Sequence, residues 1–176
     1  ISACLVGSEM CIRDRPALLA ALRQGEPVSH EPLQVGHRRI DVHSHSERVL
    51  HGGFDQLCEQ PLAAGDFILL CDRFKAIVLG DVPALSPQQR PARIARGTED
   101  AAERVVAGDR QLPALSIHDN AVRRFIALVD ECYDRRVPLY VEAAVPLNEL
   151  YTEGYLAFAF RRTLSRLQEM QLERFG

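Results

Sequence analysis

Apolar positions along the chain switch repeatedly between two spacings, and the switching predicts helices alternating with short strands. Pro16 to Gln24 sets Leu18, Leu19 and Leu22 along one side of a helix that Gly25 and Pro27 stop. Leu33 to Val42 reads as a hairpin of two short strands about Gly36-His37. Phe54 to Cys58 is a short helical turn. Pro61 to Phe74 follows as an amphipathic helix with Leu62, Phe67, Leu70 and Phe74 on its inner face. The unbroken run Ala76-Ile77-Val78-Leu79 suits a strand covered on both faces, and Asp81-Val82-Pro83 ends it. The clearest element starts at Asp119: Val122, Phe125, Ile126, Val129, Cys132 and Tyr133 recur at helical spacing, and Ser116 or Asp119 can cap the start. Val137 to Val141 is the next strand and Pro146 to Tyr151 another helical turn. A long closing helix from Ala157 to about Arg174 buries Phe160, Leu164, Leu167 and Met170. The alternation predicts an α/β fold with a mainly parallel sheet and a helical C-terminus.

Two stretches break the pattern. Ser86 to Pro113 carries five arginines (90, 93, 96, 104 and 110) against Glu99, Asp100, Glu103 and Asp109, with few large apolar residues. It reads as a surface insertion, centred on residues 88–113, with one short helix around Thr98 to Val106. At the other end, Leu5 to Asp14 (LVGSEMCIRD) back-translates without mismatch to DNA containing GAG ATG TGT ATA AGA GAC AG. That string resembles the mosaic end of a transposase-based sequencing adapter. Ile1 to about Arg15 is therefore expected to be adapter read-through, and residues 16–176 the biological domain.

Composition narrows the class. Apolar residues at 47% and charged residues at 26% describe an ordinary globular chain. A net charge of −3 supplies no global field for nucleic acid, and the arginines of the insertion are nearly cancelled by its acids, so no nucleic-acid partner is expected. No apolar run approaches the length of a membrane span. Cys58, Cys71 and Cys132, widely spaced and outside the adapter-like segment, suit reduced thiols in a cytosol-like compartment.

Three segments carry a family resemblance. They are FDQLCEQPLAAGDF (Phe54 to Phe67) running into AIVLGDVPALS (Ala76 to Ser86); DNAVRRFIALVDECYDRRVPLYVEAAVPLNELY (Asp119 to Tyr151); and FAFRRTLSRLQEMQ (Phe158 to Gln171). In this order they resemble the C-terminal half of the ZapE family of P-loop ATPases, whose mitochondrial relatives are the AFG-one-like or lactation-elevated proteins. The resemblance implies the C-terminal portion of a P-loop NTPase-like three-layer parallel sheet domain, related to the AAA+ class. In the whole protein it implies ATP and magnesium as cofactors, ATP hydrolysis and a cytoplasmic role in cell division. It also implies a protein client such as FtsZ, and a homo-oligomeric ring. The family's phosphate-binding loop and metal-holding acidic motif lie in the other half. No G-x-x-x-x-G-K-[ST] occurs in this chain, and no expected strand ends in an Asp-Glu pair. The fragment alone is thus expected to be inactive. A stand-alone interaction module without ATPase activity is the alternative. A weaker echo of the hydrolysis region surrounds Asp81, but Val82 follows it where glutamate would be needed, leaving a turn aspartate at a strand end.

ATP-hydrolysing rings need a cation near the γ-phosphate, for which guanidinium is suited by planarity and permanent charge. Arg162 and Arg166, four apart on one helix face, are the first candidates for sensor or trans-acting arginines, with Arg123 and Arg124 as the second pair. Against this, Arg166 has Glu169 or Glu173 within pairing distance in sequence, and Arg123 and Arg124 suit a solvated face. His43, His45 and His51 invite a metal reading, but no cysteine or acidic cluster at ligand spacing accompanies them. The segment is expected to be an exposed polar loop without metal. His30, His37 and His118 show no partners in sequence, and no nucleophile motif is present.

Overall fold

The computed structural model describes residues 15–86, 93–98, 101–106 and 119–172. Helix α1 (Arg15–Arg23) turns Leu18 and Leu19 inward and ends where Gln24 and Gly25 take positive φ, 52° and 83°. Such left-handed residues commonly close helices. Strands β1 (Leu33–Val35) and β2 (Arg38–Ile40) pair antiparallel with Leu33 opposite Ile40. Their turn is tight because Gly36 adopts φ +55°, open to glycine without steric cost. β3 (Ser44–His45) pairs antiparallel with β4 (Val49–Gly53). A π-helical turn (Asp55–Glu59) and α2 (Ala64–Arg73) then lead to β5 (Ala76–Val82), parallel to β4 with Val49 opposite Ala76.

β6 (Arg93–Thr98) and β7 (Ala101–Val106) form a separate antiparallel pair. α3 (Asp119–Asp134) makes the second crossover, to β8 (Leu139–Ala143), which lies parallel to β5. A 3-10 turn (Leu147–Glu149) precedes α4 (Ala157–Met170). The main sheet has the order β3-β4-β5-β8.

Alternation along the parallel strands sorts the core into two faces. Leu50, Ile77, Leu79, Leu139 and Val141 pack with side chains of α2, α3 and α4, among them Phe67, Phe125 and Phe160. Val49, Ala76 and Val78 meet Leu19 and Leu22 of α1 on the other side. The sheet is mainly parallel, as the alternation of elements predicts, and the arrangement is three-layered, as the family resemblance implies. α4 runs in the same direction as α3: Phe125 stacks on Phe160 within the first half of both helices, with ring centroids 6.0 Å apart, and the Tyr133 hydroxyl donates to Glu169 near their ends at 2.6 Å.

Three expectations need correction or restriction. Residues 43–51 are not an exposed loop; they contain β3 and most of β4, and β4 is buried throughout. Its sequence VLHGG has one histidine and two glycines in five residues, which hides a strand covered on both faces. The helix expected around Thr98 to Val106 is instead the β6–β7 pair, in keeping with β-branched Thr98, Val105 and Val106 and with the poor helix former Gly97. Ser116, residues 1–14 and the rest of the 88–113 stretch lie outside the described residues.

Candidate functional site

Ligands in open α/β sheets gather at the carboxyl ends of the parallel strands. At the end of β5 the pairing with β8 slips between Leu79 and Val82, and Asp81 takes φ +58°. Such an irregularity re-aims a side chain at a sheet margin. The Asp81 carboxylate stands 3.5 Å from His43 Nε2. The His43 ring in turn lies 4.9 Å from that of His51 in β4. A Cβ on Gly53 would fall 2.4 Å from Asp55 Oδ1 and 3.0 Å from His43 Nε2, so a side chain there would have to displace both.

His51 is 9% exposed and tied into a short polar relay. Arg23 Nη2 donates to Ser44 Oγ at 2.5 Å, and Ser44 Oγ lies 3.4 Å from His51 Nδ1. With its oxygen accepting from Arg23, Ser44 has its own hydrogen to direct at Nδ1. A neutral His51 then carries its proton on Nε2, which finds no partner among the described residues. Burial, followed by the charges of His43, Arg15 and Arg23, pushes the His51 pKa from 6.5 down to about 4. The imidazole is therefore neutral at physiological pH. On β8, Glu142 accepts from Arg15 Nη1 at 2.7 Å.

α1 closes this cluster into a cleft of about 680 Å3, with Leu19 and Val28 as an apolar wall and His30, His43, His51 and Asp81 among its polar lining. That size and mixture suit a small organic ligand held by a few directional hydrogen bonds. His30 acquires a partner unseen in the sequence: its Nδ1 lies 2.8 Å from the His43 carbonyl. Among the described residues no three histidine, cysteine or acidic side chains are placed to hold a metal ion.

The arginines singled out by sequence lie elsewhere. Arg166 donates to Asp130 at 2.5 Å and to Asp134 at 3.1 Å, with its guanidinium 4.7 Å from the Tyr133 ring centre. Arg162 reaches the other oxygen of Asp130 at 3.1 Å. Their partners thus come from α3, whereas Glu169 accepts from Tyr133. At 1.5 Å per residue, Asp130 lies about 16 Å along α3 from its start beside the strand ends. Arg123 and Arg124 sit in that first part of the helix. Arg124 donates to the Cys58 carbonyl at 3.1 Å, and Arg123 lies over Tyr155 at 5.7 Å. The structure therefore keeps the two arginine pairs apart, and both are on the face of the sheet opposite α1.

Sequence reasoning missed Ser44, Arg23 and Glu142, and it met His51 only through a metal reading that it set aside. No spacing rule joins residues from α1, β4 and β8, and the only local signal is the close succession of His43, His45 and His51.

Comparison with known proteins adds the following. A family model described as AFG1-like ATPase matches residues 5–107 and 110–175. The chain is 33% identical over 158 residues to the cell division protein ZapE of Escherichia coli K12, covering 90% of this chain and 34% of that protein. It is 26% identical over 187 residues to lactation elevated protein 1 homolog B of Danio rerio, covering 88% of this chain and 31% of the relative. The chain thus spans about a third of the length of these relatives. No solved structure matches it significantly.

Proposed function

The chain belongs to the AFG1-like ATPase family, and from that premise we propose that it is the carboxy-terminal part of a ZapE-like ATPase that acts in cell division. The observation that carries this reading is the family match along nearly the whole chain, combined with a sequence that contains no phosphate-binding loop. In the whole protein, residues upstream hold ATP and magnesium, and hydrolysis drives conformational work on a protein client, with FtsZ the client the family suggests. The present residues supply the packing behind the nucleotide site, the arginines and a partner-contact surface. The working assembly is a cytoplasmic homo-oligomer. No described helix is long and apolar enough to cross a membrane.

Geometry ranks the arginines. Arg166 has a side chain only 15% exposed and two carboxylate partners, so its charge is used in joining α3 to α4. Arg162 is 63% exposed with a single weak tether, and it is the better placed of that pair to reach a neighbouring subunit's γ-phosphate. Arg123 and Arg124 lie nearer the strand ends and serve, on this reading, the same subunit. In the complete enzyme, Arg162→Ala is expected to lower ATP turnover by at least about a hundredfold with the fold intact. Unchanged turnover would remove Arg162 from the mechanism.

A stand-alone interaction module is the second reading, favoured by Phe158 and Tyr155, which stand 88% and 54% exposed at the start of α4. Adapter-independent sequencing upstream of the Pro16 codon separates the two. An in-frame phosphate-binding loop followed by an acidic strand end supports the ATPase. A start site near Pro16 supports the module. The same experiment tests whether Ile1 to Arg15 derives from an adapter.

A further inference from the structure

Cys71 lies in the last turn of α2 and Cys132 in the last turn of α3, and their sulfurs face each other at 3.7 Å across the helix pair. A disulfide holds sulfurs near 2.05 Å, so closure from 3.7 Å needs a movement of about 1.7 Å, within the reach of small side-chain rotations. Exposure differs between the two. Cys71 is 6% exposed, next to the half-exposed Asp72, whereas Cys132 is fully buried. The chain's remaining described thiol, Cys58, is also fully buried, and burial raises its pKa strongly.

We propose that Cys71 and Cys132 form a reversible oxidation site, at which a hydroperoxide converts the thiol pair into a disulfide tying α2 to α3. In the first step the Cys71 thiolate attacks one peroxide oxygen and the O–O bond breaks. With hydrogen peroxide, the leaving hydroxide takes up a proton as water and Cys71 becomes a sulfenic acid. In the second step the Cys132 sulfur attacks the Cys71 sulfur. The S–O bond breaks, a second water leaves with the Cys132 proton, and the S–S bond forms. Two thiols have lost two electrons and the peroxide has been reduced to water.

The order of events follows from the surroundings. Only the first step needs contact with the oxidant, and Cys71 is the less buried partner. The hydrogen bond from Cys132 favours the Cys71 thiolate, with Arg135 assisting and burial, Glu131 and Asp72 opposing. The same contact raises the Cys132 pKa, which suits the resolving thiol. Arg135 also bridges Asp72 of α2 and Glu131 of α3, so the two helices are already held in register at this point. A bond here would fix the crossover entering β5 relative to the crossover entering β8.

The test is peptide mapping of the 176-residue chain after brief hydrogen peroxide treatment and quenching with an alkylating agent. Non-reducing digestion with trypsin and a glutamate-specific protease separates Cys58 from Cys71 at Glu59. The expected product is a Cys71–Cys132 linked peptide that dithiothreitol reverses, with Cys58 fully alkylated. C58S is expected to retain the linkage, and C71S or C132S to abolish it. The map of the unsubstituted chain decides the matter even where a serine variant folds poorly. Full alkylation of Cys71 after peroxide, its irreversible oxidation to sulfinic acid, or its linkage to Cys4 or Cys11 in place of Cys132 would each overturn the proposal.

Discussion

His51 shows how a single buried side chain sets a property of the whole fold. Its folded-state pKa is about 4 against 6.5 in an unfolded chain, with burial as the main cause. Between those values the unfolded chain binds a proton that the folded chain refuses. Stability therefore rises with pH through this window, is complete above 6.5, and falls away as pH drops toward 4. His51→Asn keeps a polar group of similar reach without a titrating ring. Urea unfolding at pH values from 4 to 7 is expected to show a shallower acid loss in that variant, by on the order of 2 kcal/mol. Parallel curves for the two proteins would show that His51 does not carry the effect. The sequence contains His43, Ser44 and His51 in plain sight, but their meeting depends on the β3–β4 turn and on Arg23 arriving from α1. No periodicity encodes those contacts.

At the scale of elements, the α3–α4 junction concentrates most of what the apolar pattern predicts. Phe125 lies between Phe54 and Phe160 in the buried cluster, at ring-centroid distances of 6.4 and 6.0 Å. Phe125→Ala is expected to cost about 3–5 kcal/mol in denaturant unfolding. Phe158→Ala, two positions from Phe160 on the exposed side, should stay within about 0.5 kcal/mol. Arg166→Ala opens the partly buried contact to Asp130 and Asp134 and should cost about 2 kcal/mol. Arg162→Ala should cost less than about 1 kcal/mol, because its pair is exposed. Equal losses at the two arginines would contradict the ranking by burial. The helices around Pro16, Pro61, Asp119 and Ala157 were legible because their apolar stripes are long. β4 was not, because a strand buried on both faces shows no alternation and its two glycines resemble a loop. The β6–β7 pair escaped for a different reason: charged residues dominate Arg93 to Arg104, and a charge-rich segment fits an exposed helix or an exposed hairpin equally well.

At the scale of the molecule, the parallel strands β4, β5 and β8 with α2 and α3 on one face and α1 on the other form a three-layer α/β arrangement consistent with the C-terminal portion of a P-loop NTPase-like domain. Family membership was legible from the ordered segments around Phe54, Asp119 and Phe158. The α1-side cleft was not, since it rests on residues far apart in the chain. The proposal that this chain completes an ATPase without being one is tested most directly by magnesium-dependent ATP turnover. The folded 176-residue chain would be assayed alone and again joined to the phosphate-loop portion of its own reading frame. The account predicts no turnover above blank for the chain alone and clear turnover for the joined protein, whereas hydrolysis by the isolated chain would contradict it.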